Sequence, residues 1–127
     1  DPLGLNGRSP VVAGEAGRFG DLDARRVAGD DLTPHHMPQA ALHHTSRPDG
    51  GALVMSTAEH SRTRTFGARG RRTSRLDRTL PFRTALARDI RDVRRIVGSR
   101  YDDGLRALLQ YYRDHFPDLL RRRGCGR

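Results

Sequence analysis

Apolar residues recur at helical spacing in the last third of the chain. A helix over 82–97, stopped by Gly98, is predicted by an apolar stripe with spacings of four, four, three and four: Phe82, Leu86, Ile90, Val93 and Val97. A helix over 102–116, ended by Pro117, is predicted by a second set on one face: Leu105, Leu108, Leu109, Tyr112 and Phe116. About four residues join the two helices, so we expect a helical hairpin.

The pattern between residues 31 and 60 is different. Residues 31–38 form a short extended segment that contains His35 and His36, and one helical turn is possible over 39–44. A polar loop over 45–51 then leads to an apolar strand over 52–55. Ser56 and Glu59 form an S-x-x-E capping box, which predicts a helix that starts at Thr57, carries His60 in its first turn and ends by Gly67.

Two further stretches show no sustained period. Residues 6–30 are rich in Gly, Arg and Asp, which indicates a linker with one short helix over 21–27. Residues 67–81 are rich in Gly and Arg and are expected to form a loop, either one that follows phosphates or a solvated connector.

Composition adds a strong positive charge to this picture. All 24 basic residues are Arg, and the net charge of the 127-residue chain is +9. The stretch 61–100 alone carries +10, from 13 Arg against Asp77, Asp89 and Asp92. A GC-rich genome would explain the absence of Lys but not the net charge, so we expect a polyanionic partner, most simply nucleic acid.

Several classes of protein are excluded. Cys125 is the single cysteine, so one chain can form no disulfide framework, zinc ribbon or CxxC redox pair. No apolar run approaches membrane-spanning length and no signal peptide is visible, so we expect no membrane anchor.

Residues 31–66 combine a strand, a loop, a second strand and a capped helix, with histidines on the first strand and on the helix. This arrangement resembles the ββα unit of His-Me finger (HNH and endonuclease VII) nucleases. The resemblance implies an α+β fold, mostly helical overall, in which a small ββα unit precedes the helical hairpin. It also implies that His36 is the general base and that His35 and His60 are ligands of a divalent cation: Mg²⁺, or Mn²⁺ or Zn²⁺.

The sequence departs from this family's pattern in two places. The family often has an Asn or Asp between the histidine elements, whereas the only Asn here is Asn6, and Asp49 and Ser56 are the nearest substitutes. The position of a second helix histidine is held by Arg64. Nucleic-acid contacts are therefore expected from the arginines of and after this helix: Arg62, Arg64, Arg69, Arg71, Arg72 and Arg75.

The first five residues, DPLGL, resemble the sequence that closes the core of Rhs-repeat proteins, after which C-terminal toxin domains follow. Because the chain starts at Asp1 rather than Met, we expect it to be a fragment of something longer. The resemblance implies a post-Rhs-core linker over 1–30, partly disordered, and a nuclease toxin domain over 31–127. It further implies delivery by a bacterial secretion system, action on DNA more than RNA in the target-cell cytoplasm, and an acidic immunity protein.

Other interpretations stay open at this point. Another Rhs-tip enzyme such as an ADP-ribosyltransferase would not need the histidines, and a non-catalytic Arg-rich nucleic-acid-binding module would keep binding without them. His35 and His36 could be a surface doublet and His60 a helix cap, while a soft metal site with the second doublet, His43 and His44, lacks a matching spacing. A nucleobase deaminase is disfavoured because its Cys-x-x-Cys half is absent.

Overall fold

The computed structural model describes residues 9–121, which form a mixed α+β fold with about half of the residues in helices. The elements, in chain order, are β1 (Ala16–Arg18), α1 (Phe19–Ala24), β2 (Leu32–His36), β3 (Gly51–Ser56), α2 (Thr57–His60), α3 (Gly67–Asp77), α4 (Phe82–Val97) and α5 (Asp102–His115). Short 3₁₀ turns cover Ala40–Leu42 and Pro117–Leu120. The DPLGL sequence and Cys125 lie outside the described residues.

The sheet is antiparallel, with strand order β1-β3-β2. The central strand β3 is buried from Gly51 to Met55, as its apolar run predicts. β2 lies at an edge of the sheet, and such a position tolerates Pro34, which has no N–H to donate to a neighbouring strand.

Alternate residues of β3 reach two separate apolar clusters on opposite faces of the sheet. Leu53 and Met55 pack with residues of α4 and α5, whereas Ala52 and Val54 pack with Phe19, Leu22 and Val11. The first cluster is the larger, and its other members are Met37, Phe82, Leu86, Val93, Tyr101, Leu105, Leu108 and Tyr112.

The two C-terminal helices confirm their predictions. α4 has the predicted bounds, and α5 ends at His115, just before Pro117. The Phe82 and Tyr112 rings meet edge to face with centroids 4.8 Å apart. The buried Tyr112 hydroxyl accepts from the Gly51 N–H at 2.7 Å and donates to the Met37 carbonyl at 2.7 Å. It therefore joins α5 to the first residue of β3 and to the residue that follows β2 and the histidine doublet.

The prediction of a loop over 67–81 is wrong, because α3 occupies most of that stretch. Its buried positions are Gly70, Thr73, Ser74 and Asp77, so the inward face has helical spacing but no large apolar residue. An apolar stripe is the signal on which helix prediction depends, and this helix lacks one.

The described part of residues 1–30 also differs from the predicted linker. β1 pairs with β3 in the sheet, and α1 covers 19–24 rather than 21–27. Buried Val11, Phe19 and Leu22 attach this segment to the domain. β1 is only three residues long and contains Ala and Gly, so it has no apolar alternation that would predict a strand. The domain boundary at residue 30 stays a prediction.

None of the helices within 9–121 combines the length and the apolar character needed to cross a membrane.

Candidate functional site

An open cleft of about 340 Å³ lies along β2, the edge strand, and contains all three predicted site histidines. Its other charged or amide side chains are Arg26, Arg47 and Gln39, and no carboxylate of residues 9–121 lines it. The remaining lining residues are Phe19, Thr33, Pro34, Ala40, Ala41 and Thr65. The cleft is therefore suited to an anion.

His36 is held in one orientation by its neighbours. Its ring stacks on Phe19 with centroids 3.8 Å apart, and its Nε2 lies 2.8 Å from the carbonyl oxygen of Arg47. A carbonyl only accepts hydrogen bonds, so Nε2 carries the proton and Nδ1 of the neutral ring keeps its lone pair. Burial lowers the pKa of His36, although the Arg47 carbonyl opposes this effect. His36 is thus neutral at neutral pH and can accept a proton at Nδ1.

His35 and His60 meet inside the cleft. His35 is 3% exposed, and the centroids of the two rings are 5.0 Å apart. Burial, followed by the nearby His60 and His36, lowers the pKa of His35 to about 3. Burial and the charge of Arg26 also lower the pKa of His60. Both imidazoles are therefore neutral at pH 7, which is the state that binds a metal ion.

The side chains of His35 and His36 lie on opposite faces of β2. His35 pairs in register with Leu53 and His36 with Ala52, so the two side chains lie on opposite faces of the strand. His35 consequently points toward His60, whereas His36 points toward Phe19. Because β2 is at the edge, both rings still border the same cleft.

The predicted capping box is confirmed, and it positions His60. The Ser56 hydroxyl accepts from the Glu59 N–H at 3.1 Å, and the Glu59 carboxylate accepts from the Ser56 N–H at 3.1 Å. Glu59 also accepts from Tyr101 Oη at 2.7 Å and is paired with Arg100, so this carboxylate has a structural role. The resulting single turn, α2, ends at His60.

The neutral imidazoles of His35 and His60 fit a shared divalent cation. Two imidazoles on one ion have ring centroids about 5 Å apart, since each centroid lies roughly 3 Å from the metal. Among residues 9–121, however, no three His, Cys, Asp or Glu side chains form a group that could hold a metal ion. Water or a substrate oxygen would have to complete the coordination.

The substitutes considered for the missing Asn are engaged elsewhere. Asp49 accepts from Arg18 Nε at 3.0 Å, and Ser56 caps α2. Gln39 was not predicted to belong to the site, and its buried Nε2 has no hydrogen-bond partner within the described residues. Its place directly after Pro38, beside the histidine doublet, was the available signal. Arg26 and Arg47 were missed because they lie in segments without helical or strand periodicity that would place their side chains near the histidines.

Arg64 differs from the predicted phosphate contact. Its guanidinium donates to Asp77 at 2.9 and 3.0 Å and to Asp89 at 2.7 Å. The backbone N–H of Arg64 donates to Asp92 at 2.7 Å. All three carboxyl groups are buried. We call these four residues the carboxylate cluster, and Arg64 is a structural member of it.

The other predicted nucleic-acid-binding arginines are exposed and lie outside the cleft lining: Arg62, Arg69, Arg71, Arg72 and Arg75. Arg69 donates to the Ser61 carbonyl. The second doublet does not join the site: His43 is exposed, and His44 packs edge-on against Phe82 with centroids 5.2 Å apart.

Comparisons with protein-family models, with curated proteins and with solved structures found no match.

Proposed function

We propose that this protein is a metal-dependent endonuclease that hydrolyses phosphodiester bonds, DNA more readily than RNA, in a ββα unit formed by β2, β3 and α2. One observation carries the proposal: His35, His36 and His60 share a cleft in which the Arg47 carbonyl orients His36. A surface doublet and a helix-capping histidine would have no reason to converge in this way.

His36 is the general base of the proposed reaction. Its Nδ1 takes a proton from water, the water oxygen attacks phosphorus, and the bond from phosphorus to the leaving oxygen breaks. The leaving oxygen takes its proton from solvent. Arg26 and Arg47 are placed to hold the phosphate oxygens, and the unpartnered amide nitrogen of Gln39 is a further donor in the same cleft.

His35 and His60 are the proposed metal ligands. A bound divalent cation supplies Lewis-acid stabilisation of the charge that develops on phosphate. Two neutral nitrogen donors without a carboxylate suit Zn²⁺ or Mn²⁺ better than Mg²⁺, which prefers oxygen ligands. Among the cations expected from sequence, the transition metals are therefore favoured.

The test compares His36→Ala with a matched control, His43→Ala, which changes an exposed histidine of the second doublet. Plasmid DNA and RNA are incubated with wild type and each variant in Mn²⁺, Zn²⁺, Mg²⁺ or EDTA. We expect His36→Ala to lower the cleavage rate by about 10²–10⁴ and His43→Ala to leave it unchanged. Equal cleavage by wild type and His36→Ala would remove His36 as the base.

Calorimetric titration with Mn²⁺ tests the ligands in the same set of proteins. We expect His60→Ala to weaken metal binding about tenfold or more, while His36→Ala retains it. Equal metal affinity in wild type and His60→Ala would make His60 a cap residue only.

A non-catalytic nucleic-acid-binding module is the second candidate, and the exposed arginines of α3 favour it. Such a module would bind nucleic acid in EDTA and would cleave none in any metal. Binding without cleavage by wild type in the assay above therefore selects this candidate.

The proposal includes the biological setting that the DPLGL sequence implies, a toxin delivered as the tip of an Rhs-type protein. The producing cell would then hold a small acidic immunity protein that contacts basic residues such as Arg62, Arg69 and Arg72. Opposite charges accelerate association, and salt weakens the effect. Pull-down of products of adjacent genes at low and high salt tests this, and the absence of any bound product would refute it.

A further inference from the structure

The arginines between residues 61 and 100 fall into two groups that the sequence does not distinguish. Five of them lie within 4 Å of a carboxylate: Arg64, Arg88, Arg94, Arg95 and Arg100. The other eight have no carboxylate partner among residues 9–121: Arg62, Arg83 and Arg91, and the five of α3 and its C-terminal cap, Arg69, Arg71, Arg72, Arg75 and Arg78. Five of the eight arginines that the described residues do not pair thus lie on one helix and its cap.

This arrangement is unfavourable for an isolated helix. Arg71 and Arg75 are four residues apart, and Arg75 and Arg78 are three apart, so their side chains are neighbours. Like charges at these spacings destabilise a helix. Small buried residues fix the opposite face of α3 against the domain, so the arginines cannot turn inward. A bound polyanion would relieve this repulsion.

The charged helix begins next to the histidine cleft. Gly70 on its inward face is so close to Thr65, a cleft residue, that a Cβ there would lie 2.2 Å from the Thr65 carbonyl oxygen and 3.4 Å from Oε1 of Gln39. Arg69 donates to the carbonyl of Ser61, which directly follows His60. The first turns of α3 thus lie beside the cleft, so a strand that leaves the histidines in this direction would pass over α3.

We propose that the exposed arginine face of α3 binds the sugar–phosphate backbone of the strand that is cut in the cleft. The inference rests on the proposed endonuclease function and extends it, since the helix would make the binding independent of base sequence. Eleven residues of helix are about 16 Å long, which corresponds to roughly five nucleotides along one strand of a duplex. Arginine suits this role because its guanidinium forms paired hydrogen bonds with phosphate oxygens.

The test uses a triple variant, Arg71→Gln with Arg72→Gln and Arg75→Gln, because Gln and Arg have similar helix propensity. The matched control removes three exposed arginines from α4 and α5: Arg83→Gln, Arg91→Gln and Arg113→Gln. Circular dichroism melts establish that both variants fold. Binding to fluorescent single-stranded and duplex oligonucleotides is measured by anisotropy in EDTA at several salt concentrations.

We expect the α3 variant to bind duplex DNA about tenfold or more weakly and to reduce the slope of log K against log salt by about 2.7, from three lost phosphate contacts. The control should change the slope by less than about 1. Equal losses in both variants would show a general charge effect and overturn the proposal. Absence of wild-type binding to either oligonucleotide would also overturn it and would leave an acidic protein as the partner of this surface.

Failure of this inference is distinguishable from failure of the nuclease proposal. If wild type binds DNA through α3 but no metal supports cleavage, the surface stands and the endonuclease is refuted. If cleavage depends on His36 but the α3 variant binds and cuts as wild type does, the endonuclease stands and the surface is refuted.

Discussion

The histidine cleft and the carboxylate cluster are built from opposite kinds of residue, although only the segment from His60 to Arg64 separates them. The cleft contains three histidines and two arginines and has no acidic lining residue. The cluster brings three buried carboxyl groups around Arg64. The basic lining of the cleft and the buried carboxyl groups of the cluster thus lie at the two ends of one short segment.

The two regions also differ in how completely their polar groups are satisfied. In the cluster each carboxyl group receives a hydrogen bond from Arg64. In the cleft the buried amide nitrogen of Gln39 has no hydrogen-bond partner within the described residues. Buried polar groups without partners are costly, and at a functional site a ligand supplies the partner. The polar groups of the cluster are therefore satisfied within the protein, whereas the cleft keeps a buried donor, Gln39 Nε2, without a protein partner among residues 9–121.

The cluster supports the cleft through the backbone between them. Thr63, which is fully buried, donates from its hydroxyl to the His60 carbonyl at 2.8 Å. One residue later, the Arg64 carbonyl accepts from the Thr73 hydroxyl at 2.7 Å, which joins the segment to α3. Arg64 itself binds α3 through Asp77 and α4 through Asp89. Because His60 begins this segment, we infer that the carboxylate cluster fixes its position.

The largest expected effect that separates the two regions comes from Arg64→Ala. The substitution leaves Asp89 buried without its cation and leaves Asp77 with Arg88 alone at 3.6 Å. Breaking a buried pair in this way costs on the order of 3 kcal/mol of the free energy of unfolding. Urea denaturation measures the loss. Arg62→Ala is the matched control, because Arg62 is exposed and has no carboxylate partner among residues 9–121, and it should change stability by less than about 0.5 kcal/mol.

Equal losses in the two variants would show that Arg64 contributes only as a surface residue. The carboxylate cluster would then have no structural role, and the difference in role between the cluster and the cleft would be refuted.

The contrast between Arg62 and Arg64 shows what the sequence could not provide. Both follow the same capped turn, and both were predicted to contact nucleic acid. Only the fold reveals that Arg64 meets Asp77 and Asp89, which lie 13 and 25 residues later. Partners this distant leave no local pattern, so the structural role of an arginine could not be read from its neighbours.

Signals from residues close together in the sequence predicted the start of α2 and the bounds of α4. The capping box depends on residues three apart, and it predicted the start of α2 at Thr57 and His60 in its first turn, as observed, although the helix ends at His60 and not near Gly67. The apolar stripe of α4 predicted its bounds, since periodicity over four turns is a strong signal. Two of the missed cleft residues, Arg26 and Arg47, reach the cleft only through tertiary packing, whereas Gln39 lies beside the doublet in sequence.

The smaller expected effect concerns the pH dependence of stability, for which the two regions have opposite signs. Burial, with the charges of Asp77 and Asp92, outweighs Arg64 and raises the pKa of Asp89 to about 7 from 3.8. Between these values the folded protein holds a proton that the unfolded chain releases, so the stability from Asp89 is present below pH 3.8 and is lost as pH rises to about 7. In the metal-free protein, the lowered pKa of His35 acts oppositely: its stabilisation is present above pH 6.5 and is lost as pH falls toward about 3.

Asp89→Asn isolates the carboxylate cluster from this opposing contribution. The free energy of unfolding of the variant minus that of wild type should rise between pH 4 and 7, by up to about 1.4 kcal/mol per pH unit, because only in wild type does unfolding release the proton of this carboxyl group there. Urea titrations in EDTA at half-unit pH steps measure this difference. The control is Asp103→Asn, whose side chain is fully exposed and which should show no slope. A flat or falling difference for Asp89→Asn would mean that Arg64 keeps Asp89 ionised throughout, and the cluster would then stabilise the fold by ion pairing across the whole range.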